Sequence, residues 1–183
     1  NCEWSVADAI AVGRRLAPMR LQWFEEPVFP PEDGAGLRAV GEACRIPIAA
    51  GENCCFATQF AALLDAGAVQ YAQPSVTKVG GVTEFRKVAA SVTYGTAQLP
   101  IASNVTGQLA TTEELCSAEY WVRQVRSPVR FLDGVRVLEG LGTRTSLELG
   151  PDGVLTAMTA GCLSDASQMQ VVAAQRHGRD GAE

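Results

Sequence analysis

Two glutamates in this sequence stand where a hard cation could be held. Twice a strand-like run ends on a glutamate: Leu21, Gln22, Trp23 and Phe24 lead into Glu25, and Ile46 to Gly51 lead into Glu52. The segment between them, from about Asp33 to Cys44, has helical character. A parallel strand, helix, strand unit brings both strand ends to the same edge of a sheet, so two carboxylates 27 positions apart emerge side by side. Magnesium takes oxygen ligands in near-octahedral geometry, usually a few carboxylates completed by water and substrate oxygens. Glutamates at the C-terminal ends of successive barrel strands would supply them where barrel active sites sit. The competing reading is that Glu25, Glu26 and Glu52 are solvated loop charges, the ordinary situation for carboxylates.

The elements that must position these side chains alternate regularly. Val6, Ile10, Val12 and Leu16 fall close to one helical face, so the chain runs into a helix almost at once. A proline-rich loop over 27–34 separates Glu25 from the helix that ends near Cys44. Phe60, Leu63 and Leu64 mark a helix over 56–65 with Gly67 as its stop, and 68–73 reads as a strand. Gly80 and Gly81 open a helix over 82–94; 97–101 is a further strand, followed by a helix near 108–118 and a short segment at 120–123. Strand ends at 25, 52, 75, 101 and 123 give steps of 27, 23, 26 and 22 residues, which argues for parallel βα architecture. A closed eight-stranded barrel takes ~250 residues. The expectation is therefore an α/β chain whose residues 1–126 form the later part of a (β/α)8 barrel. Residues 127–165 read as a C-terminal segment of short strands, at 129–132, 135–138 and 146–149, separated by turn signals at Asp133-Gly134 and 151–153. Residues 166–183 read as a disordered tail that holds the only histidine, His177, for which no catalytic role is expected.

Composition narrows the function classes. The 183 residues are 47% hydrophobic, enough for a packed core. A net charge of −5 and a pI near 5.0 provide no basic surface for nucleic acid. No apolar run approaches the length of a membrane span, and no signal-peptide pattern opens the chain; a cytoplasmic protein is expected. The six cysteines show neither disulfide-framework nor zinc spacing and read as free thiols.

Three blocks, Trp23-Phe24-Glu25-Glu26-Pro27, Ile46 to Asn53 and Gln73 to Glu84, together resemble the enolase superfamily, in particular its mandelate racemase and muconate-lactonizing branch. The resemblance runs in order from Asn1 to about Asp133, with a weaker echo in Glu139-Gly140-Leu141-Gly142. It implies magnesium as cofactor and a small-molecule carboxylate as substrate. The implied reaction is abstraction of the proton α to a carboxylate of a hydroxycarboxylate or acid sugar, by a racemase, dehydratase or related lyase with a Lys or His base. By the resemblance Glu25 and Glu52 match the second and third of three metal ligands, and Asn1 matches an asparagine, substrate-contacting in some members, two residues past the first. The chain then looks truncated, with the first ligand, a second base and the capping domain outside it.

The proton-transfer groups match less well. Ser75 stands where the family carries an aspartate or a lysine, Ile101 where a histidine is common, and Arg123 where a glutamate follows on the last strand. Lys78 precedes Gly80-Gly81 as a lysine often does in the family. Ser75 and Lys78 are thus the catalytic candidates, and Asn1 and Arg123 the substrate-binding ones. The alternative is a diverged, inactive homologue or a truncated fragment that retains part of a metal site. Unpaired strand edges in a partial barrel invite association, so a homo-oligomer is expected.

Overall fold

The computed structural model describes residues 2–150 and 152–175; Asn1 and His177 lie outside the described residues. The chain divides into two compact units, the first ending at Tyr94 and the second beginning at Gly95.

The first unit follows the βα alternation. Helix α1 (Val6–Leu16) is capped by Ser5, whose Oγ accepts the Asp8 N–H, and a short 3-10 turn (Ala17–Met19) follows it. Strand β1 (Phe24–Glu25), helix α2 (Gly34–Cys44), strand β2 (Ile48–Ala50), helix α3 (Ala57–Asp65), strand β3 (Tyr71–Ala72) and helix α4 (Val82–Ser91) complete it. Asp33 caps α2 by accepting the Gly36 N–H at 2.9 Å, and Arg45 ends that helix in the left-handed conformation, so local chemistry marks both ends. The strands are shorter than the strand-like runs of the sequence, but their order and direction are as expected. β1, β2 and β3 lie side by side and parallel, with Glu25 opposite Ala49 and Ala50 opposite Ala72.

β2 is the centre of this sheet. All three of its residues are buried, and Leu37, Val40, Phe60, Leu63, Val79 and Val88 build the core around it. A strand covered on both sides has no polar face to offer, which is why 46–50 is apolar without alternation. α3 and α4 are tied by Glu84, which accepts the Ala57 N–H at the start of α3 and pairs with Lys87. These hydrogen bonds, the Lys87 one foremost, hold the Glu84 carboxyl below its ordinary range. Among the described residues no closed barrel forms.

The second unit departs from the expected repeat. Residues 97–101 form no strand; an isolated antiparallel bridge joins Ala102 to Leu109. The expected helix near 108–118 is replaced by one turn, α5 (Thr112–Leu115), closed by a reciprocal Thr111–Glu114 capping box, and by α6 (Ala118–Gln124). The expected strands at 129–132 and 135–138 are replaced by helix α7 (Phe131–Gly140). Strand β4 (Thr145–Glu148) agrees with expectation, but helix α8 (Val154–Cys162) follows it and strand β5 (Gln170–Ala173) lies in the stretch read as a disordered tail. β4 and β5 pair in parallel with α8 as their crossover, a self-contained βαβ unit. A separate small cluster of Val105, Leu115 and Tyr120 is anchored by the Tyr120 hydroxyl, 2.8 Å from the buried Ser103 Oγ. All six cysteines are free thiols.

Candidate functional site

The parallel pairing of β1 and β2 sets where the two glutamates lie. Glu25 ends β1 and is exposed; its Oε2 accepts Trp23 Nε1 at 3.3 Å and Gln73 Nε2 at 3.0 Å. Glu52 lies two residues beyond β2, its side chain 43% exposed. Both stand at the C-terminal edge of the same three-stranded sheet. Trp23 and Tyr71 stand close by, their rings tilted and 5.6 Å apart, and both are exposed.

Their sequence neighbours do the opposite. Glu26 is completely buried, which overturns the solvated-loop reading for that residue. A buried carboxylate is costly unless its oxygens are satisfied, and here three donors converge on it. Oε1 accepts the Gly51 N–H at 3.1 Å, and Oε2 accepts Asn53 Nδ2 at 2.8 Å and the Cys2 thiol at 3.0 Å. Burial and the Glu26 carboxylate push the Cys2 thiol up to about 11. Gly51 has φ +120°, and a Cβ there would meet the Phe60 ring, so only glycine can aim this N–H at Glu26.

Lys78 is brought to the site. Its Nζ donates to Asn53 Oδ1 at 2.7 Å and lies 3.9 Å from Glu52 Oε1. Ser75 works through its backbone, its carbonyl accepting the Lys78 and Val79 N–H groups in a tight turn, while its hydroxyl shares a hydrogen bond with Thr77 Oγ1. Arg123, expected at a strand end, lies within helix α6 of the second unit, and Ile101 ends no strand. Glu26, Asn53 and Gln73 were not singled out from sequence. The only signal for them is position: Glu26 and Asn53 each directly follow a candidate ligand, and Gln73 leads the third block.

The donor set can be tested against a hard cation. Among the described residues no three His, Cys, Asp or Glu side chains converge, so the chain offers two carboxylates rather than a complete cage. Gln73 Oε1 is buried and has no hydrogen-bond partner, although the same amide holds Glu25. Two carboxylates are hard donors that fit magnesium with water or substrate completing the shell. A cleft of about 560 Å³, lined by Arg38, Arg45, Asp65 and Gln70 among others, opens where the chain enters β2 and β3. That is the opposite end of the strands from the glutamates, and barrel chemistry belongs to the C-terminal end.

Comparison with known proteins gives two kinds of likeness. The family described as enolase C-terminal domain-like matches residues 1–143. Solved structures include an enolase from Bradyrhizobium complexed with magnesium and mandelic acid, 43% identical over 49% of this chain and 25% of that one, with a TM-score of 0.46. Another is a racemase from Streptomyces coelicolor with bound magnesium, 40% identical over 49% of this chain and 27% of that one, with a TM-score of 0.46. The curated relatives include polyketide synthases, among them the spectinabilin polyketide synthase system protein NorB of Streptomyces orinoci, 43% identical over 61% of this chain. The chain spans 5% of that protein's length.

Proposed function

We propose a function from one premise: this chain belongs to the enolase superfamily, in its mandelate racemase and muconate-lactonizing branch, through the enolase C-terminal domain-like stretch of residues 1–143. On that premise the first unit holds magnesium with Glu25 and Glu52 and takes part in removing the proton α to a carboxylate of a hydroxycarboxylate or acid sugar. The observation that carries the reading is the pair of glutamates on adjacent parallel strand ends with the Lys78 ammonium 3.9 Å from one of them.

When bound, magnesium supplies Lewis acidity to the substrate carboxylate. Glu25 and Glu52 would hold it, with Gln73 keeping the Glu25 carboxylate in place through its amide N–H. Lys78, held by Asn53, is the group that holds or moves a proton, at Nζ. Ser75 offers a hydroxyl and no base, so its part is to hold the turn that carries Lys78. The exposed rings of Trp23 and Tyr71 give the apolar side of a substrate a surface beside Glu25. The test is loss of the α-proton signal of mandelate and of acid sugars in deuterium oxide, followed by NMR with and without magnesium. Magnesium-dependent exchange that disappears in Lys78→Met supports the enzyme. Magnesium binding without exchange on any of them supports a diverged homologue that keeps only the cation site.

A second reading concerns residues 95–183, and the break at Tyr94/Gly95 favours it. The parallel repeat stops there: 97–101 forms no strand, and the unit that follows has its own helices and its own β4–α8–β5 crossover. On this reading the second unit has a packing role and no share in the cation site; the likeness to polyketide synthases extends over 114 residues, more than this unit holds, and does not single it out. Arg123→Ala decides: unchanged magnesium affinity supports this reading, and a tenfold loss returns the second unit to the site.

A further inference from the structure

Glu26 and Gly51 have no part in the proposed reaction, and with Asn53 they form one connected polar cluster of the first unit. The candidate ligands are Glu25 and Glu52, and each is followed at once by a residue turned inward. Glu26 and Asn53 meet: Asn53 Nδ2 donates to Glu26 Oε2 at 2.8 Å, and the Gly51 N–H donates to Oε1 at 3.1 Å. One buried carboxylate thereby grips both ends of the tripeptide 51–53, whose middle residue is Glu52. The far side of the Asn53 amide accepts Lys78 Nζ at 2.7 Å. The end of β1, the turn after β2 and the lysine after β3 are thus joined by three consecutive polar contacts.

We propose that Glu26 is the positioning residue of this site, its carboxylate setting the placement of Glu52 through Gly51 and Asn53, and that of Lys78 through Asn53. It touches neither cation nor substrate. A glutamine in its place keeps the shape but presents an amide NH₂ where the carboxylate accepted from the Gly51 N–H, the Asn53 NH₂ and the Cys2 thiol. One of them must lose its acceptor. Groups that orient metal ligands without binding the metal are worth roughly 10–100-fold in affinity when removed.

The inference rests on the magnesium reading of Glu25 and Glu52, and two measurements on the full chain separate its failure from that of the reading. The first is calorimetric magnesium affinity in wild type, Glu26→Gln, Asn53→Ala and Cys2→Ala. Glu26→Gln and Asn53→Ala are expected to weaken binding about tenfold or more while circular dichroism shows a folded protein. Cys2→Ala removes a Glu26 donor outside the 51–53 turn and is expected to stay within twofold. If Glu26→Gln fails to fold, Asn53→Ala carries the comparison. The second is hydrogen exchange of the Gly51 N–H and the Asn53 side-chain NH₂ in the metal-free protein, expected to be protected in wild type and at least tenfold faster in Asn53→Ala for Gly51 and in Glu26→Gln for both. Exchange unchanged between the variants, or affinity lost equally in Cys2→Ala, overturns the positioning role. Wild-type protein that shows the protection but binds no magnesium overturns the cation reading and leaves Glu26 ordering the turn alone.

Discussion

Replacing Gly51 by alanine probes the site and the core at once. The added Cβ would lie 2.2 Å from Phe60 Cε2 and 2.5 Å from Cζ, with Cδ2 at 3.2 Å. Phe60 is completely buried and its ring cannot swing away without displacing the core around β2. Overpacking of this kind costs about 1–3 kcal/mol, and a side chain held at φ +120° adds roughly 1–3 kcal/mol of backbone strain. The sum is ~2–6 kcal/mol, a large share of the ~5–15 kcal/mol that holds a domain folded. Urea unfolding followed by tryptophan fluorescence reads the effect, and a slope of about 2 kcal/mol per molar turns it into a midpoint lower by about 1–3 M. Gly51→Ala combined with Phe60→Leu relieves the clash but not the strain, so the double variant should lose less than the sum of the two single changes. A midpoint for Gly51→Ala within about 0.2 M of wild type, equivalent to about 0.5 kcal/mol, would refute the reasoning.

Two further outcomes follow from the same geometry. Lys78→Met removes a positive charge 3.9 Å from Glu52; repulsion of roughly 1 kcal/mol at a solvated site predicts magnesium binding about fivefold tighter at low salt and a smaller gain at high salt. Weaker binding in calorimetry would mean that Lys78 is needed to hold Glu52. Burial first, and then Glu26, push the Cys54 thiol from 9.0 up to about 11. Between those values the folded chain keeps a proton that the unfolded chain has lost, so stability falls as pH rises from about 9 to 11, by up to ~3 kcal/mol. Denaturant midpoints across that range should fall less in Cys54→Ala than in wild type; equal slopes would contradict the assignment.

What the sequence discloses and what it hides divide along physical lines. α2 was legible as the segment from about Asp33 to Cys44, and Asp33 does cap it, while Glu25 and Glu52 were legible because each ends an apolar run. The burial of Glu26 depends on an N–H 25 positions away and on the φ of Gly51, neither of which leaves a mark near residue 26. Residues 135–138 carry the alternation of a short strand, yet the same apolar positions serve a helix, and α7 buries Val135 while Arg136 pairs with Glu139 one turn on. Residues 97–101 have strand composition but find no parallel neighbour. β5 was hidden in a polar stretch because its pairing partner, β4, lies about 25 residues before it, a distance on the scale of one βαβ crossover.

The most direct test is calorimetric titration of magnesium into the full chain and into Glu25→Gln and Glu52→Gln. The account predicts binding by wild type that each substitution weakens at least about tenfold, since each removes one of the two carboxylates the chain supplies to a cation that depends on them. Binding indifferent to both substitutions would contradict it, and the two glutamates would then be strand-end carboxylates without a shared ion.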